Sequence, residues 1–90
     1  MTTTYTNNEV KALKAIYAEC LAGMGGGCWE DLENDPYTWA YLDTLTKQGW
    51  TKHEAAGTFA ALMVKGAITE MDRKEYCLEL LPDVRKAVEA

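Results

Sequence analysis

The stretch Gly49-Trp50-Thr51-Lys52-His53-Glu54 places a helix stop directly before a helix start. Glycine just past a periodic segment is a common helix terminator, because it enters the left-handed region without a Cβ penalty. Thr51 and Glu54 then have capping-box spacing: the hydroxyl accepts from the N3 amide, and the N3 carboxylate accepts from the N-cap amide. Trp50 precedes the cap, where an apolar residue can pack onto Ala55 at N4. Two helices joined by a tight, glycine-containing turn are the signature of the helix-turn-helix arrangement. This narrows the possible folds more than any other feature of the 90 residues.

The elements on either side extend this frame. Thr6-Asn-Asn-Glu9 is another capping box, and Val10, Leu13, Ile16, Tyr17, Cys20 and Leu21 follow on one helical face, with Gly23 as the expected stop. Gly23 to Asp35 reads as a loop, glycine-rich and then acidic. Asp35-Pro36 fits the N-cap and N1 of a second helix with Trp39, Leu42 and Leu45 inside, ending at Gly49. The helix begun at Thr51 runs to Lys65 and stops at Gly66. In Glu75-Tyr-Cys-Leu-Glu-Leu80 the period shifts to two, as in a half-buried strand, with Ala67 to Met71 as its partner across Asp72-Arg73-Lys74. Capping-box spacing from Asp72 to Glu75 leaves a helix as the competing reading. Pro82 opens a short last helix, Asp83 to Glu89.

The expected fold is therefore α+β: a three-helix helix-turn-helix core, a β-hairpin wing and a short C-terminal helix, in one domain over 1–90 with a flexible 1–6. A chain of this length buries only about 60–65% of its unfolded surface, so the core must be small. No apolar run approaches the roughly 18 residues that span a membrane, and the N-terminus has no basic-then-apolar leader pattern. Cys20, Cys28 and Cys77 are odd in number and irregularly spaced. That disfavours a disulfide framework and suits a reducing, cytoplasmic setting.

Two segments carry a family resemblance. "ALMVKGAI", Ala61 to Ile68, resembles the end of the recognition helix in MarR- and PadR-like regulators, where Leu, a basic residue, Gly and an apolar pair lead into the wing. "EYCLELLPDVRKAVEA", Glu75 to Ala90, resembles their second wing strand and closing helix, with Leu81 in place of the usual Thr and Val84 in place of Gly. Small phage-encoded winged-helix proteins are similar as well. The resemblance covers Asp35 to Ala90. It implies binding of double-stranded DNA in transcription regulation, with the third helix in the major groove and the wing beside the backbone. It makes Lys52, His53, Gly57, Thr58 and Ala60 the presented positions and Arg73 and Lys74 the wing tip. Winged-helix regulators often dimerise through extra terminal helices, so a monomer or a homodimer is the expectation for this chain.

Charge fits that expectation only locally. The net charge is −5, a poor match to a polyanion. Yet from Lys47 to Lys74 five bases face three acids, a net +2, while two bases face seven acids before Thr46. Lys47, Lys52, His53, Thr58, Lys65, Arg73 and Lys74 are accordingly the candidate DNA contacts, chiefly to phosphates. The third helix contains no Arg, Asn or Gln, the residue types that read guanine and adenine in a bidentate manner. Its outer face instead carries Gly57, Ala60, Ala61 and Val64. Gly57 in mid-helix costs about 1 kcal/mol relative to Ala. Close approach of a partner helix, close approach of a DNA backbone, or cover by the first helix or the Gly-rich loop would each account for it. The competing functional reading is therefore a protein–protein module on the same scaffold, such as a phage-type inhibitor of a host protein, docking at Gly57, Ala60, Ala61 and Val64.

Motifs for enzymes, metals or cofactors are incomplete. "GMGGGC" lacks the last glycine of a dinucleotide fingerprint and follows no strand. "HEAAG" lacks the second histidine of a zinc-protease helix. The alternation of Asp31, Glu33 and Asp35 resembles the start of a calcium loop, but Pro36 stands where Gly is needed and Leu42 where the bidentate Glu is needed. Trp29, Trp39 and Trp50 suit core or rim packing, with base stacking as the lesser role.

Overall fold

The computed structural model describes residues 4–34, 40–41, 43–72 and 75–89. These form α1 (Asn7–Gly23), α2 (Trp29–Asn34), β1 (Ala40–Tyr41), α3 (Asp43–Thr46), α4 (Lys52–Val64), β2 (Ile68–Asp72), β3 (Glu75–Leu78) and α5 (Pro82–Glu89). The chain is thus a small α+β protein: among the described residues, five helices and one antiparallel sheet of order β1-β3-β2. No described helix is long and apolar enough to cross a membrane.

Both capping boxes form. The Thr6 hydroxyl accepts from the Glu9 amide at 3.2 Å, and Glu9 Oε1 accepts from the Thr6 amide at 2.7 Å. At α4, the Thr51 hydroxyl accepts from the Glu54 amide at 3.0 Å, and Glu54 accepts from the Thr51 amide at 3.2 Å. α4 stops where its sequence says: Lys65 is the C-cap and Gly66 takes φ +77°, a conformation that side-chain-bearing residues rarely adopt. α1 runs through Gly23 instead of stopping at it; Met24 is the C-cap and Gly25 takes the positive φ.

Leu13, Ile16 and Cys20 of α1, Phe59 and Leu62 of α4, Ile68 and Leu78 of the sheet and Val84 of α5 meet in one core. The sheet joins it through Tyr76, whose ring stands edge-on to Phe59 at 4.6 Å. Alternation on β3 buries Tyr76 and Leu78 and leaves Glu75 and Cys77 half-buried. β2 pairs with β3 from Ile68–Leu78 to Asp72–Glu75, with an irregularity after Glu70. The hairpin reading of Ala67–Leu80 therefore holds over the helical one, because period-two burial satisfies the core on one face only.

Two expectations need correction. The segment from Gly23 to Asp35 is not loop throughout: Trp29–Asn34 is α2, which buries Trp29 and Leu32. Cys28 caps it in half a capping box, its amide donating to Asp31 Oδ2 at 2.9 Å. The glycine before it has φ +136°, and a Cβ there would collide with the Asp31 carboxylate. Arg85 of α5 then fastens the helix, pairing with Glu30 at 2.6 Å and lying 5.9 Å from the Trp29 ring. Nor is the second helix continuous from Asp35 to Gly49. Ala40–Tyr41 is a strand in register with Tyr76 and Glu75, and among the described residues of this segment the helix is Asp43–Thr46. Pairing with β3 overrides helical propensity at Ala40, which is fully buried. The expected start at Asp35-Pro36, and Trp39 and Leu42 of its inner stripe, lie outside the described residues.

Candidate binding face

α4 hangs on the core by Ala55, Phe59 and Leu62, with Met63 packed half-buried beside them. This burial turns Lys52, His53, Ala56, Gly57, Ala60 and Val64 to solvent, while Thr58 and Ala61 are half-buried. Val64 keeps 89% of its surface exposed, although most side chains of its size in a small domain find cover. A Cβ at Gly57 would meet nothing within 4 Å. Cover by α1 or by the Gly-rich loop therefore does not explain this glycine; the face is open.

The candidate polar contacts separate into two groups. Lys47 sits in the turn after α3, and Lys52 and His53 in the first turn of α4, so these three share one end of the helix. Lys47 is loosely engaged: its ammonium is 3.5 Å from Asp43 Oδ2, with both side chains well exposed. Such a pair is worth at most about 1 kcal/mol and yields easily to another anion. Lys65 lies at the opposite end, about 20 Å along the axis at 1.5 Å per residue. Arg73 and Lys74 lie outside the described residues, between Asp72 and Glu75.

Lys65 is occupied differently. Its Nζ donates to Glu9 Oε1 at 2.6 Å and to the Thr4 carbonyl at 2.9 Å, and lies 5.6 Å from the Tyr5 ring centroid. The Glu9 side chain is only 7% exposed. Burial, the largest single influence, pushes the Glu9 carboxyl upward. Hydrogen bonds from Lys65 and the Thr6 amide, the Lys65 charge and the Thr6 hydroxyl together outweigh it, leaving the group below its ordinary range. Burial also pushes the Tyr5 phenol up, aided by the charges of Asp83 and Glu9. Withdrawing Lys65 toward a phosphate would strand a buried carboxylate. Lys65 is thus a strut between α1 and α4, a role that local sequence could not signal because its partners lie 56 and 61 positions away.

This face can hold anions at the Lys47, Lys52 and His53 end, while its middle offers only backbone and small apolar side chains. No protein-family model, curated protein or solved structure matches the chain.

Proposed function

We propose that the chain is a winged-helix DNA-binding protein that grips double-stranded DNA mainly through its phosphates, in transcription regulation. The observation that carries this reading is the layout. A helix–turn–helix pair, α3 and α4, is followed by the β2–β3 hairpin, whose β3 also pairs with β1. The exposed Lys47, Lys52 and His53 lie at the leading end of α4. Lys65 is withdrawn from the contact set by its pairing with Glu9. Arg73 and Lys74, between the two hairpin strands in sequence, complete the set.

Without bidentate readers on α4, the affinity is salt-dependent and weakly selective. Some four phosphate contacts give a slope of log K against log salt near about −3.6. Fluorescence anisotropy with duplexes of unrelated sequence at low salt tests this. Lys52→Glu together with Lys47→Glu is expected to abolish binding, whereas Lys86→Glu, on α5, is expected to leave it intact. No binding to any duplex, or equal effects of the two changes, would overturn the reading.

The open apolar face favours a second reading, a module that docks a protein at Gly57, Ala60, Ala61 and Val64. A stoichiometric partner that binds the native chain and is lost on Gly57→Arg, with no duplex affinity in either, would establish it instead.

A further inference from the structure

An open groove of about 280 Å³ lies between the first turns of α1 and α4 and the turn that precedes α4. Asn8, Lys11, Gln48, Gly49, Trp50 and Glu54 line it. The phosphate-gripping reading uses none of these residues. Its volume sits at the lower edge of the roughly 300–1,000 Å³ typical of small-molecule sites. A duplex is far too wide for it; one nucleotide is not.

Three kinds of group converge there. Trp50 is half-buried, fixed against the core while still lining the groove. An indole held in this way is a stacking platform for a nucleobase. Asn8 and Gln48 bring carboxamides, each offering donor and acceptor together, the combination that pairs with a base edge. Glu54 accepts the Thr51 amide through one oxygen only, so its second oxygen can take an exocyclic amino group, as carboxylates do from cytosine N4. Lys11, exposed on α1, supplies the cation for a phosphate. The side chains of Asn8, Lys11 and Gln48 make no hydrogen bond or ion pair among the described residues.

We propose that this groove binds a nucleotide whose base carries an exocyclic amine, stacked on Trp50, with its edge on Gln48, Asn8 and Glu54 and its phosphate on Lys11. The nucleotide comes either free or as an unpaired residue of a single strand. Both sources present the same chemistry.

The test follows the Trp50 indole N–H by NMR while the intact chain is titrated with AMP, CMP, GMP, UMP, inorganic phosphate and a short single-stranded oligo-dA. Saturable shifts are expected with the three amine-bearing nucleotides. UMP should be weaker by about fivefold or more, the factor that one lost base-edge hydrogen-bond pair confers. Lys11→Ala and Gln48→Ala, both at exposed positions, should each weaken AMP by about fivefold with the thermal midpoint of the chain unchanged. Oligo-dA tighter than AMP identifies a strand as the source; AMP equal or tighter identifies the free nucleotide. The proposal is overturned by the absence of saturation up to about 10 mM, by equal affinity for UMP, by a response to inorganic phosphate alone, or by indifference to both substitutions. Duplex binding is read separately through Lys47 and Lys52, so the two proposals fail independently.

Discussion

α1 and α4 both start from a threonine whose hydroxyl takes the N3 amide and a glutamate that returns the bond, yet their surroundings differ. At α1 the glutamate is buried and is gripped a second time by Lys65. At α4 the same pair is exposed, and its glutamate carries no second grip from a cation among the described residues. The faces differ in the opposite sense. α1 buries its apolar stripe and turns Lys11, Lys14 and Glu19 outward, as a surface helix should. α4 is apolar inside and nearly apolar outside, with Ala56, Gly57, Ala60 and Val64 in solvent. The helix locked most firmly at its start is ordinary on its surface, and the helix with the looser start carries the unusual one. The residues that lock the fold and those of the open α4 face are thus largely separate sets here.

The largest effect tests the lock. Lys65→Met leaves the Glu9 carboxylate buried without its cation, and is expected to cost about 2–3 kcal/mol in urea unfolding at neutral pH. Acid should narrow that gap. In the native chain Glu9 is held below its ordinary range, so its contribution is complete above the unfolded carboxylate pKa and is lost as pH falls through the lower folded one. In the variant, burial acts with less opposition and raises the group, so protonation relieves the defect. Denaturation midpoints of the two chains should converge as the pH falls through the lowered range of the folded Glu9 carboxyl; a constant gap would show that Lys65 acts through packing rather than charge.

The caps come next. Thr6→Ala and Thr51→Ala each remove one N-cap acceptor, worth typically about 1 kcal/mol. Thr6 should cost more, about 1.5 kcal/mol, because its hydroxyl also helps hold the buried Glu9 ionised, while the residue-6 amide and its bond to Glu9 survive the change. Thermal midpoints of the two variants check the order. Equal losses would mean that the buried and exposed boxes are energetically alike, removing the asymmetry between the helices.

How far the chain could be read from its sequence follows the range of the forces involved. Both boxes, the stop at Gly66 and the alternation of Tyr76 and Leu78 act within a few residues, and all three features were legible. α2 was not, because glycines and acids mask it; its only signals were Trp29 and Leu32 at i, i+3 and Asp31 three residues after Cys28. Ala40–Tyr41 read as helix because a two-residue strand has no period of its own and exists only through β3. On the candidate face, the shortage of base-reading side chains was plain. The loss of Lys65 to a carboxylate 56 positions earlier was not. Nor was the groove, whose walls come from Asn8–Lys11 and Gln48–Glu54 and meet only in the fold.

The smallest effect concerns the open face. Gly57 lies mid-helix, and a Cβ there meets nothing within 4 Å. Gly57→Ala should therefore stabilise the free chain by roughly 0.5–1 kcal/mol, through helix propensity and the reduced freedom of the unfolded chain. Gly66→Ala makes the control: at φ +77° the same change should destabilise by about 1 kcal/mol or more. Affinities of the variant for a duplex and for a protein partner then test whether either surface approaches this uncovered glycine closely. Close approach of DNA backbone or of a partner helix at this point makes the more stable Gly57→Ala variant the weaker binder, because the added methyl holds the approaching surface away. Unchanged affinity for the duplex beside improved stability confines the share of the contact made by α4 to its Lys47, Lys52 and His53 end. A loss of stability on Gly57→Ala would contradict the open face itself, and with it the contrast between the two helices.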